Sequence, residues 1–358
     1  MPAKGHMPDL KTAPPETAAL LVWFDENARD LPWRVPPRER LAGHRPDPYR
    51  VWLSEVMLQQ TTVAAVKGYF ARFTEAWPDV RALAHAEEDA VRRAWAGLGY
   101  YARCANLIRT ARILADAGGV FPGTAAELAA LPGIGAYTSA AIAAIAFDEP
   151  IAVVDGNVER VVTRLRAIET PLPAAREAVR AAVAALVPQD RPGAFAEAMM
   201  DLGATVCTPR NPRCEVCPLS AGCAAFSKGA SARYPVKAPK VKKPERQAVA
   251  YVIRDENARI LVVKRPQTGL LSGMTGLPSS AFTEGPADPP ALPVKIAQER
   301  DCGSIVHVFT HFRLTLEVRA ARAIPGAALP EGWRWSEDAE KEALPTVFRK
   351  ALTRALAG

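Results

Sequence analysis

The chain has no long hydrophobic run. Its longest oily segment, AAIAAIAF at 140–147, is far too short to span a bilayer, and the opening MPAKGHMPDLK lacks the apolar core of an export signal. A soluble, cytoplasmic chain with no membrane partner is therefore expected. No internal repeat or heptad array is evident, which argues against solenoid and coiled-coil architectures. A secreted disulfide framework is missing too, because the six cysteines fall as Cys104, Cys302 and one tight group of four. Acidic residues are in slight deficit, 38 against 45 Lys and Arg, and the resulting charge of +7 with a pI near 9.2 favours a polyanionic partner without specifying one. At 358 residues the chain exceeds one ordinary core, so two or three domains are expected.

Strand-like alternation is scarce from about 16 to 227, where alanine-rich amphipathic segments punctuated by Pro and Gly predict helices. Between 228 and 246, KGASARYPVKAPKVKKPER carries seven basic residues, one acidic residue and three prolines without apolar periodicity, the composition of an interdomain linker. Beyond it, QAVAYVIR, ARILVVKR and VHVFTHFRLTLEVRA are β-branched and partly alternating, which predicts a smaller α+β domain.

Four local patterns carry chemistry. In VWLSEVMLQQTT (51–62) a helical reading puts Trp52, Val56, Val63, Val66 and Phe70 on one apolar face, and Glu55 borders that face. Most such glutamates are paired or snorkelling. One held among apolar groups would have its neutral form favoured and could donate a proton. In TAAELAALPGIGAYTSAAIAAIAF, Thr124 and Glu127 stand in capping-box register, LPGIG breaks the helix at 131–135, and a second helix resumes at Ala136. Gly133 and Gly135 would let backbone N–H groups approach a phosphate beside that helix's positive end, although an ordinary αα-turn also uses glycine. In IAVVDGNVERVVTRL, Asp155 precedes a helix whose Val158, Val161, Val162 and Leu165 face inward; it could simply cap that helix, whose N–H groups would also keep it ionised. Finally, Cys207, Cys214, Cys217 and Cys223 are spaced C-x6-C-x2-C-x5-C, a strong metal-site signal that leaves zinc and iron-sulfur both open.

Taken in order, SEVMLQQT, LPGIG, VDGNV and the cysteine loop resemble the endonuclease III and MutY branch of helix-hairpin-helix DNA glycosylases, and the MutY-type adenine DNA glycosylases in particular. The resemblance implies a multidomain fold: an all-α helix-hairpin-helix glycosylase with an iron-sulfur loop, plus a C-terminal α+β Nudix-like domain. It divides the chain into an N-terminal segment packing with the cluster domain (1–40), a six-helix barrel with the hairpin (41–149), a cluster domain (150–227), the basic linker (228–246) and a Nudix-like 8-oxoguanine recognition domain (247–358). It implies a 4Fe-4S cluster on the four cysteines, with Arg210 and Arg213 facing phosphate. The expected partner is double-stranded DNA holding A:8-oxoguanine or A:G, bound by a monomer.

Nucleoside cleavage needs an acid for the departing base and an anion for the electron-poor sugar, which two carboxylates in opposed environments can supply. The resemblance assigns these roles to Glu55 and Asp155, with Asn157 near the latter. Tyr137 stands where related bifunctional enzymes carry a Schiff-base lysine, so hydrolysis without strand scission is expected. Trp33, Arg34 and Glu197 fall to the adenine pocket by the resemblance, although by sequence alone they read as core, surface and solvated helix. Gln60 and Tyr100 match residues that enter the DNA stack as the base flips out. Phe309, Thr310 and His311, in HVFTHFRL, match the family's Phe-Ser-His loop for 8-oxoguanine, with threonine in place of serine, while Val306, Val308 and Phe312 could equally make a half-buried strand. The aromatic residue expected within GLLSGM is missing, and the stretch that follows offers only Glu284 and Glu299, too few for Nudix hydrolysis. Two rivals remain: an endonuclease III-like glycosylase and lyase for oxidised pyrimidines, and a non-catalytic iron-sulfur DNA-binding protein.

Overall fold

Capping residues set the helix starts that matter most here. Asp47 accepts from the Tyr49 N–H ahead of Pro48, Thr62 from Ala65, and Asp155 from Asn157 and Val158. The computed structural model describes residues 14–239, 242–266, 270–271, 273–326, 328–342 and 344–357. Residues 1–13 of the expected N-terminal segment, positions 240–241 of the expected linker, and 269 and 272 of GLLSGM lie outside the described residues. Contacts divide the chain into two compact units, Met1–Ala94 with Ala105–Pro239, and Trp95–Cys104 with Lys240–Gly358.

The helices run α1 (Pro15–Asn27), α2 (Pro37–Leu41), α3 (Pro48–Leu58), α4 (Val63–Ala76), α5 (Val80–His85), α6 (Glu88–Trp95) and α7 (Tyr101–Asp116). They continue as α8 (Ala125–Leu128), α9 (Ala136–Phe147), α10 (Gly156–Leu165), α11 (Arg176–Ala184), α12 (Pro192–Thr205) and α13 (Ala224–Ser227). At the centre of the first unit, α9 is buried over nearly its whole length and packs against α3, α8 and α12; α12 in turn meets α1 and α10. The small side chains of AYTSAAIAAIAF allow this crowding, and the structure brings α3, α9, α10 and α12 around one hollow.

Several sequence expectations change. The face from Trp52 to Phe70 is not one helix: the chain leaves the helix after Leu58, Gln60 takes a left-handed conformation at φ 58°, and Thr62 caps a new helix. Glu55 is also inside the stripe and not at its border, with 6% of its surface exposed. The basic stretch after 227 is likewise less free than a linker. Tyr234 is buried, its carbonyl accepts from Arg164, and Val236 to Ala238 pair with Leu172, so the chain is tied to the helical unit until just before position 239.

The second unit holds a six-stranded mixed sheet of β1 (Glu245–Arg254), β2 (Ile260–Lys264), β3 (Thr275–Gly276), β4 (Ile296–Val308), β5 (Arg313–Ala323) and β6 (Trp333–Ser336). The order is β3-β2-β1-β5-β4, with β6 on β2; β1 and β5 are parallel, in register from Glu245 opposite Arg313 to Arg254 opposite Arg322. Helix α14 (Thr346–Leu356) buries Val347, Phe348, Ala351, Leu352 and Ala355 against one sheet face, which joins Ala248, Ala250 and Val252 to Leu314, Leu316 and Val318. That burial of aliphatic and aromatic side chains is the unit's main stabilising term. The phase of β4 is opposite to the half-buried reading: Val306 and Val308 are 41% and 58% exposed, while Ile305 packs inward. From Ser304 to Val308 the strand pairs regularly with β5, and Phe312, which is buried, lies beyond the turn that follows, so one two-residue count cannot run from Val306 to Phe312.

Candidate active site

The hollow in the helical unit is a cavity of about 650 Å³, within the usual range for a small-molecule pocket. Its lining includes Glu55 from α3, Tyr137 from α9, Asp155 and Asn157 at the start of α10, Trp33 and Arg34 from the loop after α1, and Glu197 from α12. Gln60, Gly133 and Gly135 also reach it. The sequence-derived residues of the helical unit thus converge. Tyr100 does not: it belongs to the 95–104 segment of the other unit, is 51% exposed at φ 51°, and is no part of the lining.

The two carboxylates differ as physical chemistry requires of an acid and an anion. Burial pushes the Glu55 carboxyl up to about 7; the Tyr137 hydroxyl, hydrogen-bonded to it, and Arg34 oppose this, while Asp155 and Glu197 add to it. The Tyr137 hydroxyl also lies 3.9 Å from Met200 Sδ, but its single proton is better used on the carboxylate. Burial, with the nearby charges of Glu55 and Asp155, raises the Tyr137 phenol well above its ordinary range, so it acts as a neutral donor. Asp155 receives N–H groups from Asn157 and Val158 on Oδ1 at 2.9 and 2.7 Å, and the Asn157 amide on Oδ2 at 2.8 Å. Three donors beside a helix N-terminus stabilise negative charge there.

Sequence reasoning missed the ion-pair network behind these groups. Asp201, fully buried on α12, accepts from Arg29 Nε at 2.6 Å and Arg34 Nη1 at 2.7 Å; Glu197 takes Arg34 Nε at 3.3 Å and Arg40 Nη1 at 3.0 Å. Arg34 is therefore no surface residue, and Glu197 no solvated one. Burial works against the Arg34 charge, but Glu197 and Asp201 outweigh it and its pKa is raised. The signal was present: Glu197 and Asp201 stand four apart in FAEAMMDLG, one face of an otherwise apolar helix. Gln59, beside Gln60 on the cavity wall, was also overlooked, and it donates to Thr138 Oγ1 at 3.1 Å.

The hairpin forms as expected. Thr124 caps α8, accepting from the Glu127 N–H, but the Glu127 carboxylate bonds the Thr124 hydroxyl at 2.7 Å. Gly133 needs glycine twice over, for its φ of 75° and because a Cβ would come within 2.6 Å of Asn106 Cβ. Gly135 precedes α9 as its N-cap with no side chain closing the helix end, leaving that end open towards solvent.

The four cysteines line one small pocket after α12 together with Arg164, whose Nη1 lies 3.3 Å from Cys207 Sγ. Four thiols gathered on one pocket supply the ligand number and type that an iron-sulfur cluster takes. Arg210 and Arg213 are exposed on the same loop.

In the second unit Phe309, Thr310 and His311 form the turn between β4 and β5, closed by the Phe309 N–H to the Phe312 carbonyl at 2.9 Å. Phe309 stacks on Phe312 and Phe282 at 4.8 and 6.0 Å, and Thr310 and His311 are exposed. Glu284 and Glu299 are ion-paired with Arg246 and Arg319 at 3.8 and 2.9 Å.

Comparison with known proteins agrees with this architecture. Residues 53–189 match the HhH-GPD superfamily base excision DNA repair protein, 207–223 the iron-sulfur binding domain of endonuclease III, and 248–354 the NUDIX domain. The cysteine loop is thus the binding site of a 4Fe-4S cluster. The adenine DNA glycosylases of mouse and human are 35% and 34% identical to the chain, each over 93% of it and over 76% and 72% of their own lengths. That of Mycolicibacterium smegmatis is 42% identical over 56% of the chain and 66% of its own length. A solved thermostable thymine-DNA glycosylase superposes on 59% of the chain with a TM-score of 0.52 at 29% identity, covering 95% of that structure. With relatives of one activity aligned across both of its units, the chain belongs to the adenine DNA glycosylase family, and so to the DNA N-glycosylases of base excision repair.

Proposed function

We propose that this enzyme removes adenine mispaired with 8-oxoguanine, and with guanine, by hydrolysing the N-glycosidic bond of a nucleotide flipped out of duplex DNA. The observation that carries the reading is the shared cavity: Glu55, buried so that its neutral form is favoured, and a donor-fed Asp155 face the same volume. An extruded adenine would occupy it, with Trp33, Arg34 and Glu197 around the base and Gln60 filling the gap in the stack.

Glu55 donates its proton to N7 of the base, so the C1′–N9 bond breaks with its electron pair leaving on a neutral adenine. Asp155 offsets the positive charge that develops on the sugar, and Asn157 holds Asp155 in place. Glu55, now a carboxylate restrained by the Tyr137 hydroxyl, takes a proton from water as that water bonds to C1′ and gives the abasic site. Among the described residues no lysine lines the cavity, and Tyr137 stands in its place, which favours hydrolysis over the lyase route of the pyrimidine-specific rival. When bound, the cluster supplies a fold for the loop on which Arg210 and Arg213 meet DNA phosphates.

The 309–311 turn would read the lesion on the opposite strand, with the Thr310 hydroxyl as the polar contact. The same reading takes the chain as a cytoplasmic monomer. Incubation with duplexes holding A:8-oxoguanine, A:G or an oxidised pyrimidine, followed by base-release analysis and borohydride trapping, tests it. Free adenine without a trapped adduct is expected. Release of an oxidised pyrimidine with an adduct, or binding without any release, replaces the proposal with one of its rivals.

A further inference from the structure

Arg40 is a largely buried charge of the helical unit that lies behind the cavity and does not line it. It comes from the short helix α2, and its side chain is only 10% exposed. Its Nη1 donates to Glu197 Oε2 at 3.0 Å, and its Nη2 reaches the Ile145 carbonyl near the end of α9 at 3.2 Å and Asp148 Oδ1 at 3.4 Å. The space for that guanidinium is made by glycine: a Cβ on Gly193, one turn before Glu197, would lie 2.7 Å from Arg40 Nη2 and 2.3 Å from the Ala144 carbonyl. Glu197 therefore has a cation on each oxygen, Arg34 from the cavity side and Arg40 from behind.

We infer that Arg40 is a positioning residue for base selection, fixing Glu197 as the hydrogen-bond acceptor that distinguishes a 6-amino purine from a 6-oxo purine. The inference rests on the reading that an extruded adenine fills the cavity. A carboxylate accepts hydrogen bonds and cannot donate them, so it suits the amino group of adenine and repels the carbonyl of hypoxanthine. It can discriminate only while it is held in one place. Glu197 is 2% exposed, and with Arg34 alone one of its oxygens would keep no cation. The α9 carbonyl and Asp148 anchor the far side of Arg40, so the clamp is braced against the helix that carries Tyr137.

The test uses the full-length, cluster-loaded protein in single-turnover assays on two duplexes that differ only in adenine or hypoxanthine opposite 8-oxoguanine. Arg40→Met is expected to lower the adenine-over-hypoxanthine rate ratio by roughly tenfold, the scale of one lost charged hydrogen bond. Arg40→Lys should lower it less. In a Glu197→Gln background neither substitution should change the ratio further, because Arg40 acts through Glu197. If Arg40→Met does not fold, the same cycle is run with Arg40→Lys. A folded Arg40 variant whose ratio stays within about twofold of wild type, or losses that simply add in the double variant, overturns the inference. Wild type that releases no adenine overturns the reading of the cavity itself, a separate outcome.

Discussion

The two units hold their functional residues in opposite ways. In the helical unit Glu55, Glu197, Asp201 and Arg34 are buried among apolar helices, where each charge must be hydrogen-bonded, paired or neutralised. In the sheet unit Thr310 and His311 sit on an exposed turn that costs nothing to build. The lesson is that burial turns an ionisable residue into a physical statement, because the fold must answer for it. A turn residue in water makes no such statement, and its role rests on what it is shown to bind.

The sharpest way to break this contrast is to remove the buried acid. Glu55→Gln keeps shape and removes the proton, and single-turnover adenine release should fall by ~10²–10⁴-fold with duplex affinity largely kept. Near-normal turnover would end the assignment. Asp155→Asn, which can still cap α10, should cost a similar order in rate, ~10²-fold or more, with little change in melting temperature. A variant that unfolds while the residual fold stays active would make Asp155 a cap alone.

Glu55 also has a stability signature. Its folded pKa of about 7 lies above the ordinary carboxyl value of 4.5, so the folded state binds more protons and stability falls as pH rises between those values. At pH 8 the cost is about 3 kcal/mol at most, and Glu55→Gln should be the more stable protein there while losing that advantage below pH 4.5. Denaturant midpoints at the two pH values check this; an advantage independent of pH contradicts it.

The smallest effect belongs to the exposed turn. Thr310→Ala should reduce the preference for 8-oxoguanine over guanine by about tenfold or less, the reach of one hydrogen bond, while the A:G rate stays constant. An unchanged preference removes Thr310 from lesion reading.

The same contrast explains what could be read from the chain. The Thr124 N-cap and the glycine hairpin are local signals, and they appeared where expected, although Glu127 bonds the Thr124 hydroxyl and does not complete the capping box. Glu55 stood out because its neighbours are oily, and the four cysteines because of their spacing. Resemblance supplied Trp33, Arg34 and Glu197; local pattern read Trp33 correctly as core but misread the other two, since the partners that bury Glu197 come from the loop after α1 and from α2, more than 150 residues away. The kink at Gln60 was missed because apolar spacing alone continued across it. The phase of β4 was misread for a similar reason, as the alternation was counted through the turn that ends the strand.

The account stands on Glu55 being an acid whose proton is retained by burial beside Asp155. The pH dependence of single-turnover adenine release measures this directly. The rate should hold steady through mildly acidic pH and fall as pH rises through about 7, where Glu55 gives up its proton before the base arrives. A rate that stays level or climbs through that range contradicts it.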